Sequence, residues 1–322
     1  MSGLLKYLRI SITDKCNLHC RYCDTASFHK LPFNAILSFE EIARIARIAT
    51  GLGVETVRIT GGEPLVRSNF TELFRMLKKD SGVPELTFTT NGMLLGKWAE
   101  PIFAAGVRRF NLSLDSLVCD TFRDLTGGGD LKAVLSGLDT CKKIGFAPIK
   151  INVVAMRGVN DGEFAAFVDY AAENGHPLRF IELMDIAGEP GFVKKHFIDI
   201  AWVRGEIEKR FTLVPFEKDE RIPGAGPAEY YRVKGTGCVV GFISPVSRHF
   251  CEYCNRLRLT ADGNLKSCLL RPREINILKL LRGGAADKEI EKVLKEEFDN
   301  KEKACGVTSA AGNFRKMTEI GG

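Results

Sequence analysis

Tyr7-Leu8-Arg9-Ile10-Ser11-Ile12-Thr13-Asp14-Lys15-Cys16-Asn17-Leu18-His19-Cys20-Arg21-Tyr22-Cys23 decides the reading of this chain. A β-rich run over 7–12 gives way to a loop bearing three cysteines, Cys16-x3-Cys20-x2-Cys23. Working outward, the same texture repeats. Strands are expected at 55–60, 85–89, 108–114, 149–155 and 178–183, with helices near 71–79, 97–105, 131–144 and 162–173 between them. Ahead of the second strand, Ser38 reads as an N-cap with Glu41 three residues on, and Ile42, Ile45, Ala46 and Ala49 share one helical face. Strand–helix alternation of this kind is the pattern of parallel α/β architecture. Six consecutive units without an order reversal favour a partial (β/α)6 TIM-like barrel, and the cysteine loop then lies at the C-terminal face, where barrel active sites gather.

After about residue 185 the alternation stops. Glu189-Pro190-Gly191 interrupts it, and Pro223-Gly224-Ala225-Gly226-Pro227 marks a loop before strands expected at 229–233 and 239–243. Helices are expected near 274–281 and 287–297. The division is therefore 1–185 for the barrel and 186–322 for a smaller α+β region. The 322 residues suit two domains, at about 150 residues each. Apolar residues at 45% and charged residues at 27% describe an ordinary globular chain, so extensive disorder is excluded. The net charge of +6 suits an anionic ligand without demanding one, and no run of like charge resembles a nucleic-acid tail. Nothing reads as a secretion signal or a membrane span, so a cytoplasmic protein is expected. In that compartment disulfides are rare, which turns ten cysteines toward metal or redox chemistry.

Three thiolates on a four-iron cluster leave one iron open, whereas structural zinc takes four ligands. Zinc completed by His19 or His29 is the alternative. The three-cysteine spacing, with Tyr22 just before its last member, resembles the defining motif of the radical S-adenosylmethionine (SAM) superfamily. Gly61-Gly62-Glu63-Pro64, after the second strand, resembles that superfamily's loop for the amino end of SAM. The resemblance implies a [4Fe-4S] cluster whose open iron is chelated by SAM, and one-electron cleavage of SAM to methionine and a 5′-deoxyadenosyl radical.

Cys251-x2-Cys254-x13-Cys268 offers a second triad, for which zinc with His249 or Cys238 is again the alternative. Beside it, Arg256 and Arg258 share a face if the run is a strand, and their guanidinium forks suit phosphate or carboxylate. The stretch from Phe242 to Ser247, followed by Phe250-Cys251 and Cys254-Asn255-Arg256-Leu257-Arg258-Leu259-Thr260-Ala261-Asp262-Gly263, resembles the GTP 3′,8-cyclase family, the molybdenum cofactor biosynthesis protein A family. Thr89-Thr90-Asn91-Gly92, Asn111-Leu112-Ser113-Leu114-Asp115, Lys150-Ile151-Asn152, Arg179-Phe180-Ile181-Glu182 and Ile320-Gly321-Gly322 extend the likeness along nearly the whole chain.

That resemblance implies two [4Fe-4S] clusters, one on Cys16, Cys20 and Cys23 and one on Cys251, Cys254 and Cys268. It implies SAM contacts at Tyr22, Gly62, Ser113 and Met184. GTP contacts fall at Arg9, Arg58, Thr89, Lys150, Arg256 and Arg258, with Arg9 the catalytic position. It further implies a reductant such as flavodoxin or ferredoxin, a downstream cyclic pyranopterin synthase, a monomer or homodimer, and no nucleic acid or membrane partner. The Ile-Gly-Gly segment would reach into the active site. A radical SAM peptide-modifying maturase with an auxiliary cluster is the second enzyme reading. Asp24-Thr25, where the family has Met-Pro, departs from the pattern, as does the stretch 300–314. Cys119, Cys141, Cys238 and Cys305 have no ligand spacing and read as structural.

Overall fold

Alternation of apolar and polar residues builds the central sheet. The structure, a computed structural model, describes residues 5–23, 31–186, 189, 191–217, 222, 226–248, 254–302, 315 and 317–321. Cys251, Asp24-Thr25, Cys305 and Gly322 lie outside the described residues. β1 (Tyr7–Ser11) leads to α1 (Phe39–Gly51), then β2 (Thr56–Thr60), α2 (Phe70–Lys79), β3 (Glu85–Thr90), α3 (Leu95–Ala104) and β4 (Phe110–Ser113). Two helices, α4 (Cys119–Thr126) and α5 (Leu131–Ile144), precede β5 (Ile149–Ala155), and α6 (Phe164–Asn174) precedes β6 (Leu178–Glu182).

The expected capping box is formed: Glu41 N–H donates to Ser38 Oγ at 3.2 Å, and Ser38 N–H donates to Glu41 Oε2 at 2.7 Å. β1 to β6 pair in sequence order, all parallel. One face of each strand carries buried apolar side chains, such as Leu8 and Ile10, Val57 and Ile59, or Leu178 and Phe180. Those side chains meet the helices. Phe74 of α2 lies 5.8 Å from Phe88, which stacks on Phe110 at 4.9 Å, while Phe164 of α6 meets Phe180 at 5.1 Å. Residues of the opposite parity, Arg9, Arg58, Asn111, Asn152 and Arg179, line a cavity of about 350 Å³. Strands that all turn their alternate residues onto one cavity form a curved wall around it, in keeping with the expected barrel.

The C-terminal region is woven into that wall. It begins with α7 (Phe192–His196), α8 (Ile200–Glu208), β7 (Leu213–Pro215), β8 (Glu229–Val233) and β9 (Val239–Ile243). β10 (Arg256–Leu259), β11 (Asn264–Lys266), β12 (Ile275–Asn276), α9 (Ile277–Arg282), α10 (Asp287–Glu302) and α11 (Met317–Ile320) follow. β9 pairs parallel with β6, and β10 pairs parallel with β1. Eight neighbouring parallel strands therefore run from β10 through β1–β6 to β9, with antiparallel β11–β12 and β8–β7 at the two ends. The helix expected at 274–281 starts later, because Ile275 and Asn276 pair with β11 before Asn276 caps α9. No described helix is long and apolar enough to cross a membrane.

Candidate active site

Two loops at the C-terminal face lock the cysteines in place. Gly62 N–H donates to Thr13 O at 2.7 Å, and Glu63 N–H donates to Lys15 O at 2.8 Å. A Cβ on Gly62 would overlap the Lys15 carbonyl, and one on Gly61 would lie 2.7 Å from Thr13 O, so the Gly-Gly pair is a requirement of this approach. Glu63 is buried and fastens the loop to the next strand. Its carboxylate accepts from Leu65 N–H at 3.1 Å, Thr90 Oγ1 at 2.8 Å and Asn91 N–H at 2.8 Å. Burial outweighs these bonds and pushes its pKa up to about 7. The third residue of the motif is thus a clamp between loops.

Cys16, Cys20 and Cys23 all line the cavity. Asn91 Nδ2 and Leu18 N–H donate to Cys16 Sγ at 3.7 and 3.4 Å. Burial, then Cys23 and Asp115, raise the Cys20 thiol well above its ordinary range, so the site resists three bare thiolates and favours a cationic body among them. Among the described residues no three His, Cys, Asp or Glu side chains gather closely enough to hold a single ion. Three cysteines of one loop lining a single cavity fit an iron–sulfur cluster, which takes thiolate ligands. Tyr22 donates to Asp115 Oδ2 at 2.6 Å, and Asp115 Oδ1 accepts from Val154 N–H at 2.7 Å. Burial raises the Asp115 pKa to about 6. This chain of bonds ties Tyr22, and with it the cysteine loop, to the segment after β4 and to β5.

Below the sulfurs the wall is basic. Arg9 stands in register with Arg58 on one side and Arg258 on the other. Arg58 donates to Tyr7 Oη and to Thr89 Oγ1, the latter at 3.3 Å. Burial, then Arg258, holds Arg9 well below the usual arginine range, and burial with Arg256 brings Arg258 down to about 10. Clustered guanidiniums that disfavour one another's charge are poised for an anion. Lys150 shares the inward parity but is not among the cavity-lining residues; it faces Arg179, Arg109, Arg58 and Glu85. All the other expected contacts, Tyr22, Gly62, Ser113, Met184, Arg9, Arg58, Thr89, Arg256 and Arg258, come together on this one cavity.

Cys254 and Cys268 line the same cavity; Cys254 precedes Arg256, which pairs with Tyr7 at the start of β1, whereas the first triad follows the end of that strand. Burial alone would raise the Cys254 thiol, but Arg256 and Lys301 outweigh it and bring its pKa down to about 6. Gly321 is buried against Thr60 and Ser11, and its carbonyl accepts from Arg258 Nη1 at 3.2 Å. Gly321 therefore touches Arg258 and Thr60, two residues that line the cavity. Sequence reasoning did not single out Arg179, Asn111, Asn152 or Lys301. Among the described residues, Arg179 Nε and Nη2, Asn111 Oδ1 and Asn152 Oδ1 are buried without hydrogen-bond partners, as the lining of a polar-ligand site would be.

A curved parallel sheet that gathers a cysteine triad, a Gly-Gly-Glu-Pro loop and a cationic wall on one cavity is the arrangement of a radical SAM protein. A profile described as Radical SAM superfamily matches residues 10–171, and one described as Molybdenum Cofactor Synthesis C matches residues 176–307. The chain is 40% identical to the GTP 3′,8-cyclase of Thermodesulfovibrio yellowstonii over 99% of its own length and 98% of the relative's. It is 42% identical to that of Alkaliphilus oremlandii over 100% and 98%. The chain belongs to the GTP 3′,8-cyclase family. Among solved structures, Streptococcus suis SuiB bound to S-adenosylmethionine shares the fold, with a TM-score of 0.63 at 18% identity over 91% of this chain and 68% of that one.

Proposed function

We propose that the chain converts GTP to (8S)-3′,8-cyclo-7,8-dihydroguanosine 5′-triphosphate in molybdenum cofactor biosynthesis, in the cytoplasm and with a flavodoxin or ferredoxin as reductant. A cyclic pyranopterin synthase would consume the product. The observation that supports this reading is one cavity lined together by a sulfur triad, by two further cysteines and by Arg9, Arg58, Arg256 and Arg258. Cys16, Cys20 and Cys23 would hold a [4Fe-4S] cluster that, with SAM bound, supplies the one-electron chemistry for making a carbon radical. Tyr22, Gly62, Ser113 and Met184 would surround SAM. Cys251, Cys254 and Cys268 would hold a second [4Fe-4S] cluster next to the guanine base.

The remaining work belongs to side chains. Arg9, Arg58, Arg256 and Arg258 offer forks to the triphosphate, each charge-assisted bond being roughly twice as strong as a neutral one. Arg9 and Thr89 would hold the ribose end toward SAM. The expected test is anaerobic: with both clusters rebuilt, SAM, reductant and GTP give 5′-deoxyadenosine and a cyclised nucleotide in parallel. Deoxyadenosine without a nucleotide product would reject the substrate, and turnover of a peptide instead would favour the maturase reading.

Lys150 gives a pH prediction. Burial, then Arg179, Arg109 and Arg58, bring its pKa down to about 7. A lowered lysine pKa means the unfolded chain binds a proton that the native chain lacks between about 7 and the ordinary lysine range. Its contribution to stability therefore rises with pH across that window. Binding a polyanion runs the other way, since it favours the ammonium and takes a proton up. GTP affinity should fall as pH rises above about 7, by at most about tenfold per unit. Calorimetric titration of GTP against pH checks this, and Lys150→Arg should flatten the slope; an equal slope in that variant would acquit Lys150.

A further inference from the structure

The last two turns of α10 reach the second pair of cysteines. β10 and β11 are antiparallel neighbours, Arg258 opposite Lys266, so Cys254 and Cys268 emerge side by side from the open end of one hairpin. Lys301 lies across that opening. Its Nζ donates to Arg256 O at 2.5 Å and to Ser267 O at 2.8 Å, one carbonyl from each strand segment. Four residues earlier on α10, and so on the same face, Glu297 is buried and accepts from Ser267 N–H at 3.2 Å. The helix thus grips Ser267, immediately before Cys268, by both its N–H and its C=O. An ammonium has three donors. Two are taken by these carbonyls, and the third is available to the Cys254 sulfur, with which Lys301 is hydrogen-bonded.

We propose that Lys301 is a positioning residue of the second sulfur centre: it fixes the spacing of the segments bearing Cys254 and Cys268 and donates a hydrogen bond to the Cys254 thiolate. The inference rests on the two-cluster reading above and adds to it a residue outside the cysteine motif. Hydrogen bonds to cluster sulfurs and the charge around them set reduction potential, and outer partners of this kind typically govern metal retention by about 10- to 100-fold. A helix that merely packs on the hairpin would affect neither selectively.

The test uses the full chain with clusters rebuilt anaerobically, as wild type, Lys301→Met and Lys301→Gln. A Cys254→Ser/Cys268→Ser chain identifies the signals of the second centre by their loss. In Lys301→Met, release of iron from the second centre to a chelator should quicken by about tenfold or more. Its midpoint in EPR-monitored redox titration should move to more negative potential, because a cation and an N–H···S bond are lost. Lys301→Gln, which keeps a donor, should lie between. Iron release from the first centre should be unchanged, which reports that the variants are folded. Two centres in the wild type, with an unaltered second-centre rate and potential in Lys301→Met, would overturn this inference alone. A wild type that binds a single cluster would overturn the two-cluster reading and the inference together.

Discussion

Replacing Gly321 with alanine is expected to cut cyclised product by about a hundredfold or more while 5′-deoxyadenosine continues to form. The reason is local. Gly321 has φ of 81°, a left-handed conformation that costs an L-residue with a side chain about 1–2 kcal/mol. A Cβ there would also overlap Thr60 Oγ1, whose hydroxyl is held by Ile10 O at 3.3 Å. Alanine therefore expels the segment, and Arg258 loses the carbonyl it donates to. Misplacement of a bound substrate by about 1 Å is enough for a hundredfold loss. Chromatography of both products from one reaction measures the split. Adding Thr60→Ala to Gly321→Ala removes the overlapping oxygen and should recover part of the rate. A single variant that cyclises normally would show that the glycine serves only as a spacer.

The parts of this protein that were legible in its sequence are those written in short spacings. The cysteine loop follows β1 directly, and the Gly-Gly-Glu-Pro loop follows β2, so reading the strands placed both loops on the same face. The six parallel units were legible because each strand buries apolar residues on its helix side, as in Leu178 and Phe180. What escaped was pairing between distant segments. Tyr7–Ile10 pairs with Arg256–Leu259 from almost the opposite end of the chain. Nothing local to either run encodes that, so the C-terminal region read as a smaller neighbour although its strands extend the barrel wall on both sides. Lys301 escaped for the same reason: its partners are carbonyls of remote residues, a contact without a motif. α4 was missed because it is short and its N-cap position, Val118, offers no side-chain cap. Glu63 was read as part of a SAM-contacting loop, while its carboxylate is spent on three hydrogen bonds to loop and strand.

Basic residues packed around a cavity are mutually unfavourable until an anion enters, and that cost bears on what their removal does. Changing both Arg256 and Arg258 to alanine is expected to weaken GTP binding by about 10²- to 10⁴-fold. Hydrogen bonds to charged groups contribute about 1.5–3 kcal/mol each, so two lost arginines remove about 3–6 kcal/mol, and every 1.4 kcal/mol is tenfold. Relief elsewhere should hold the loss toward the lower end. Arg258 is, after burial, the chief influence depressing Arg9, so its removal relieves repulsion on the Arg9 guanidinium, which stays charged and faces the phosphates. The two positions should also differ. Arg258 is flanked by Arg9 and bonded to Gly321, and Arg258→Ala should therefore disturb cyclisation as well as affinity. Arg256 stands beside Cys254, and Arg256→Ala should act mainly on affinity. Equilibrium dialysis of GTP, with SAM binding measured on the same samples, separates these effects. GTP affinity within twofold of wild type in the double variant would remove both arginines from the triphosphate site and leave Arg9 and Arg58 to account for it.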